Sequence, residues 1–201
     1  MNIIFDFDGT IVDTYSLIKD EVKILIKKYS HEDIKFKDLK EYGFNKLIKK
    51  AKVRFWNIPR ITLKLKKLVN ENINNVDIKK EIDVVIRKLS EKNTLYLVSG
   101  NSKNNIVKTL EKLNMLKYFK LIYADATLFG KDRLLKKLLK KEKLDVKNCI
   151  YIGDEDRDVE ACKNINMKII SVTWGYNSKK LLEEENPDFI VDEPSEILKY
   201  T

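Results

Sequence analysis

The stretch IIFDFDGTIVDT, residues 3–14, decides how the rest of the chain is read. An apolar run carries two acids, Asp6 and Asp8, and then breaks at Gly9-Thr10. Stability alone does not bring two carboxylates to the end of a buried strand, because neighbouring like charges make each other costly to ionise. In an extended chain residues i and i+2 point the same way, so both acids can face one substrate. The stretch therefore predicts a short strand over residues 2–7 that delivers a pair of acids to one edge of a sheet.

Working outward, the pattern turns helical after Val12. Ile18, Val22, Leu25, Ile26 and Tyr29 recur at three- and four-residue spacing. Two more helical patterns follow near residues 37–51 and 60–73, and Pro59 suits the start of the second. No strand is expected between residues 10 and 75. Beyond them apolar strands alternate with helices. Strands are expected at 94–100, 120–124, 148–154, 167–175 and 188–191, and helices at 77–92, 102–116, 131–143, 157–166, 178–186 and 194–200.

Strands alternating with helices mean crossover connections and a parallel sheet. The expected class is α/β: a Rossmann-like parallel sheet with a small helical cap inserted after the first strand. Residues 1–13 and 77–201 would form the catalytic core and 14–76 the cap. Hinges are expected near Thr14 and Val76.

Ligands of such sheets bind outside the carboxyl ends of the strands. The residues found there are Asp6 and Asp8, Ser99 and Gly100, and Asp154, with Lys131 at the start of the helix after the 120–124 strand. A divalent cation resolves repulsion among such acids. Mg²⁺ needs only one or two carboxylates plus a substrate phosphate, and Asp6 and Asp154 are the natural side-chain ligands. Gly9 lets backbone approach closely. The Ser99-Gly100 turn offers a hydroxyl and free N–H groups to a phosphate. Lys131 supplies a positive charge. Asp6 can attack phosphorus as nucleophile while Asp8 serves as general acid and base. Glu155 and Arg157 either brace the metal loop by an ion pair or stand in solvent.

Four segments in order, DFDGT (6–10), VSGNS (98–102), Lys131 in FGKDR and GDEDRD (153–158), resemble those of the haloacid dehalogenase-like phosphohydrolases. Within that family GDEDRDVEA, VTWGYNS and PDFIVDEPSEIL look most like the phosphoglycolate phosphatase-like branch. The resemblance implies an aspartyl-phosphate on Asp6, acid–base catalysis by Asp8, and Mg²⁺ on Asp6, the main-chain carbonyl of Asp8 and Asp154. It places Asp158 behind the metal, where Glu155 is also expected from the residues themselves, and Ser99 and Lys131 on the phosphate. The implied activity is hydrolysis of a small phosphorylated metabolite. A sugar phosphomutase or phosphotransferase would carry the same motifs. A dehalogenase is disfavoured, since that branch lacks the second aspartate. The cap-like insert is short, which leaves the branch's substrate specificity open and also suits a bulkier substrate or an oligomer.

Composition narrows the remaining classes. Net charge is +9, yet the chain has only five arginines, Arg54, Arg60, Arg87, Arg133 and Arg157. Lysines spread along helical stretches are solvated faces rather than a phosphate-reading surface, so nucleic acid is an improbable partner. The alternative of another class, a basic binding protein on an inactive hydrolase scaffold, conflicts with the intact acids. No apolar run is long enough for a membrane span, and the chain starts directly in an apolar strand with no basic n-region. Cys149 and Cys162 lack CxxC spacing and read as reduced core thiols. A cytoplasmic monomer or homodimer is expected. His31 is the only histidine, which excludes the usual Ser-His-Asp and Cys-His enzymes. Phe55, Trp56 and Trp174 are candidates for lining a cap–core cleft, against ordinary packing.

Overall fold

The computed structural model describes residues 1–30, 36–124 and 130–201. His31 lies outside the described residues. Strand β1 (Asn2–Phe5) is followed by helices α1 (Thr14–Tyr29), α2 (Phe44–Lys50), α3 (Ile58–Asn72) and α4 (Ile82–Ser90). Then come β2 (Thr94–Ser99), α5 (Lys103–Lys112), β3 (Phe119–Ala124), α6 (Lys131–Glu142), β4 (Cys149–Gly153) and α7 (Asp156–Lys163). β5 (Lys168–Val172), α8 (Lys179–Glu184) and β6 (Phe189–Val191) complete the set, before a 3₁₀ segment, Pro194–Lys199. The six strands form one parallel sheet in the order β3-β2-β1-β4-β5-β6. This is the Rossmann-like α/β architecture that the alternation predicts.

The period of two in β1 distributes its side chains to both faces of the sheet. Ile3 and Phe5 join the layer of α4 and α5, with Ile82, Val85, Ile86, Leu89, Ile106 and Leu110. Ile4 joins the opposite layer, with Leu134, Leu135 and Leu138 of α6 and Val159 and Cys162 of α7. Both faces are thus covered, which is why the strands are near-continuously apolar. Cys149 and Cys162 are buried free thiols, and burial raises both pKa values, that of Cys149 to about 11.

β1 ends at Phe5, two residues before the expected limit, because residues 6–12 form a tight loop. The Ile11 and Val12 amides donate back to Phe7 O, and the Gly9 amide donates to Val12 O at 2.8 Å. The 77–92 helix starts only at Ile82. Its first residues instead pair with the loop after β1. Asp13 N–H donates to Asp77 O at 2.8 Å, Lys79 N–H donates to Ile11 O at 2.9 Å, and Val12 and Ile78 form an antiparallel bridge. The two chain crossings of the helical insert therefore lie side by side.

The insert buries a cluster of its own, including Val22, Leu25, Ile26, Leu47, Ile48, Ile61 and Leu65. Further along, Ile73 is buried in the cluster of the sheet, and Val69 and Val76 pack against it. α3 thus spans both clusters. Among the described residues no helix is long and apolar enough to cross a membrane.

Candidate active site

Register builds the site. Phe5, the last residue of β1, pairs with Leu97 on one side and Ile152 on the other, so the carboxyl ends of β1, β2 and β4 lie together. Asp6 N–H extends the ladder by donating to Ile152 O at 2.8 Å. Sequence positions 6, 99 and 154 are in this way brought to one edge.

Asp6 is buried. Its Oδ1 accepts the Phe7 N–H at 2.7 Å and its Oδ2 accepts from Lys131 Nζ at 2.7 Å. Lys131 reaches it from the first residue of α6 and also ion-pairs with Asp158. Asp158, on α7, accepts the N–H groups of Asp154 and Glu155 at 3.1 and 3.2 Å. Asp154 follows β4 directly. It accepts the Thr10 hydroxyl at 2.8 Å and the Tyr176 N–H at 2.7 Å. Gly9 has φ +76°, and a Cβ there would run into the Asp154 carboxylate, as would one at Gly175.

Oxygens of Asp6, Asp154 and Asp158 lie within 4.8 Å of one another. The Lys131 ammonium pairs with two of these three buried carboxylates, Asp6 and Asp158. Burial, outweighing Lys131, pushes the Asp6 pKa up to about 7, and the nearby Asp158 and Asp8 charges add to it. Burial and then the Asp6 charge raise Asp154 well above the carboxylate range. A hard divalent cation fits this all-oxygen donor set and its excess of negative charge.

Asp8 stands apart from that cluster. Its Oδ1 and Oδ2 accept from Asn101 Nδ2 at 3.0 and 3.2 Å, and Oδ2 accepts the Ser99 hydroxyl at 3.3 Å. Burial raises its pKa, while hydrogen bonds from Asn101, Thr14 and Ser99 oppose the rise. The Ser99 hydroxyl also accepts the Asn101 N–H at 2.9 Å. The expected site residues therefore fall into two groups: Asp6, Asp154, Asp158 and Lys131 together, with Asp8 and Ser99 beside them. Gly100 is exposed, with open space where a Cβ would stand.

Glu155 stands beside the acids, and its charge adds to the rise in the Asp154 pKa. Both of its oxygens accept from Arg157 Nη2, at 2.6 and 2.7 Å, in an ion pair at the rim. Trp174 packs against the core and donates its indole N–H to Thr10 O at 3.0 Å. Phe55 and Trp56 stack edge to face and are 74% and 54% exposed, so neither lines a cleft nor packs in a core.

A cleft of about 710 Å³ opens over Asp6 and Asp8. Ser99, Gly100, Asn101 and Lys131 form its floor. Tyr15, Ile18, Phe44, Leu65 and Lys66 of the helical insert form its wall. Thr10, Asn101 and Tyr176 escape sequence reasoning as site residues. All three sit inside segments singled out for other reasons, and the spacing of those segments carries no sign of what their side chains meet.

The haloacid dehalogenase-like hydrolase family profile matches residues 3–172. The chain belongs to the haloacid dehalogenase-like hydrolases. It is accordingly an enzyme of the hydrolase class. A phosphoglycolate phosphatase of Synechococcus elongatus is 26% identical over 201 residues, covering 98% of this chain and 95% of its own. Pyrophosphatase PpaX of Oceanobacillus iheyensis is 26% identical over 211 residues, covering 98% and 94%. A haloacid dehalogenase-like hydrolase of Streptococcus pneumoniae superposes with TM-score 0.78 at 20% identity, covering 100% and 97% of the two chains. That last likeness is one of fold.

Proposed function

We propose that this hydrolase is a Mg²⁺-dependent phosphatase that cleaves small phosphomonoesters through an aspartyl-phosphate on Asp6. The observation that carries the reading is the unlike surroundings of two carboxylates at one strand end. Asp6 sits in the acidic cluster beside an ammonium, whereas Asp8 sits among amide and hydroxyl donors.

In the first step an Asp6 carboxylate oxygen bonds to phosphorus and the bond from phosphorus to the ester oxygen breaks. Asp8 delivers its proton to the departing alkoxide, so the alcohol leaves neutral. In the second step Asp8 takes a proton from water as the water oxygen attacks phosphorus. The acyl phosphate bond breaks, freeing the Asp6 carboxylate and inorganic phosphate, and Asp8 is again protonated. Acid–base help of this kind is worth about 10²–10⁴-fold. Lys131 holds the nucleophile in place and counters the phosphoryl charge. Gly9, Ser99 and Gly100 supply close backbone and a hydroxyl to the phosphoryl oxygens. Asp6, Asp154 and the main-chain carbonyl of Asp8 would hold Mg²⁺, with Asp158 behind them. When bound, the ion supplies charge neutralisation at the phosphoryl oxygens.

The relatives named phosphoglycolate phosphatase and pyrophosphatase support a small phosphorylated substrate. The insert, residues 14–76, is read as a cap over the site, hinged where the paired crossings meet at residues 11–13 and 77–79. The buried free thiols suit a reducing compartment such as the cytoplasm.

Hydrolysis of 4-nitrophenyl phosphate tests this reading, with and without Mg²⁺, on the wild type and on Asp6→Asn. Metal-dependent release of inorganic phosphate that vanishes in the variant is expected. Turnover that survives in Asp6→Asn would overturn the role of Asp6. Phosphate moved to an added sugar rather than to water would make the protein a transferase.

A further inference from the structure

Asp8 is tied to the helical insert by a row of three asparagines. Asn101 Nδ2 donates to Asp8. Asn101 Oδ1 accepts the Ser102 N–H at 2.7 Å and Asn105 Nδ2 at 3.1 Å. Those two donors require the oxygen of the Asn101 amide to face them, so its nitrogen must face Asp8. Asn105 is buried on α5, and its Nδ2 also donates to Asn70 Oδ1 on α3. Asn70 borders the cleft one helical turn after Lys66 and beside Val69, which border it too. The same end of α3 is anchored in the sheet's cluster by Ile73.

We propose that Asn70, Asn105 and Asn101 form a positioning relay through which the insert sets the orientation of the Asp8 carboxylate. α3 is the lever. Its middle, at Leu65, belongs to the insert's own cluster, and its end reaches α5 through Asn70 and Asn105. A substrate that presses on the cleft wall at Leu65 and Lys66 thereby acts on a helix whose next turn holds Asn105. Asn105 holds the amide that aims Asp8. Of the three asparagines only Asn101 touches Asp8, and Asn105 and Asn70 act through it. Their role is to place the proton donor once the insert is seated.

The inference rests on the phosphatase reading, and the leaving group of the ester separates the two. An alkoxide needs a proton as it departs, whereas 4-nitrophenolate departs without one. The kcat/KM for propyl phosphate relative to that for 4-nitrophenyl phosphate covers only the steps through formation of the aspartyl-phosphate, so it reports placement of Asp8 as proton donor, and it is independent of the fraction of enzyme folded. In Asn101→Ala this ratio is expected to fall about tenfold or more with KM little changed. In Asn70→Ala it falls several-fold. That exposed helical site accepts alanine, the best helix former, so the variant keeps its fold. Because the links act in series, the double variant should be no worse than Asn101→Ala alone.

Equal losses on both esters, or losses that add in the double variant, would overturn the relay. So would a rise in KM for Asn70→Ala with the ratio unchanged, which would make Asn70 a substrate contact. A wild type that hydrolyses neither ester would overturn the phosphatase reading and the relay with it.

Discussion

Replacing Asp154 with asparagine keeps its volume and removes one of three buried carboxylates. The metal-free variant should melt at or above the wild-type temperature, because the Asp6 charge that raises the Asp154 pKa no longer has a like partner there. The same variant should gain nothing from Mg²⁺, whereas the wild type should gain several degrees at saturating ion. Thermal melts of both proteins, with and without the ion, check this. A metal-free variant that melts far below the wild type would show that the carboxylate is structural. Gly9→Ala has the opposite character. With φ +76° and the Asp154 carboxylate where the methyl must go, it should cost on the order of 1–3 kcal/mol. Urea unfolding measures that cost, and a change under about 0.5 kcal/mol would mean that the turn relaxes freely.

Helices were legible in the sequence where one face is apolar. Ile82, Val85, Ile86 and Leu89 recur at helical spacing and all are buried on α4. Their start was not legible, because residues 77–79 are drawn into the antiparallel bridge with the loop after β1. Glu81, with φ +69°, then turns the chain into α4. The last segment, Pro194–Lys199, is wound as 3₁₀. Caps behave more locally. The Ser102 hydroxyl accepts the Asn105 N–H at 3.3 Å at the start of α5. Ser102→Ala should therefore cost about 1 kcal/mol, read as a shift in the urea midpoint with an unchanged slope. Between the crossings at 11–13 and 77–79, closure of the insert would protect the chain. Limited proteolysis with Mg²⁺ and a phosphate mimic should be slower there than without them, and identical cleavage patterns would argue against a closing cap.

At the scale of the whole molecule, pH and metal are linked through Asp6. Its folded pKa, about 7, lies above the 3.8 of an ordinary aspartate, so between those values the folded protein holds more protons than the unfolded chain. That contribution to stability is fully present below the unfolded value and is lost as pH rises through about 7. The metal-free protein should thus lose stability across this window, and Mg²⁺ should flatten the loss by favouring the ionised acid. Melting temperatures from pH 4 to 8, with and without the ion, test the sign. The alternation of apolar strands with helices, and the acids at strand ends, are local patterns. A period of two or of 3.6 carries them, and they were enough for the α/β class and to single out Asp6, Asp8, Ser99, Lys131 and Asp154 as candidates. Which group each acid meets is not local. Asn101 on Asp8, Thr10 on Asp154 and Lys131 on Asp6 join residues 93, 144 and 125 positions apart. Parallel strands paired in register, with helices packed on both faces, bring these residues to one edge. A short window of sequence holds no trace of that register, because it arises only when the two layers close on the sheet.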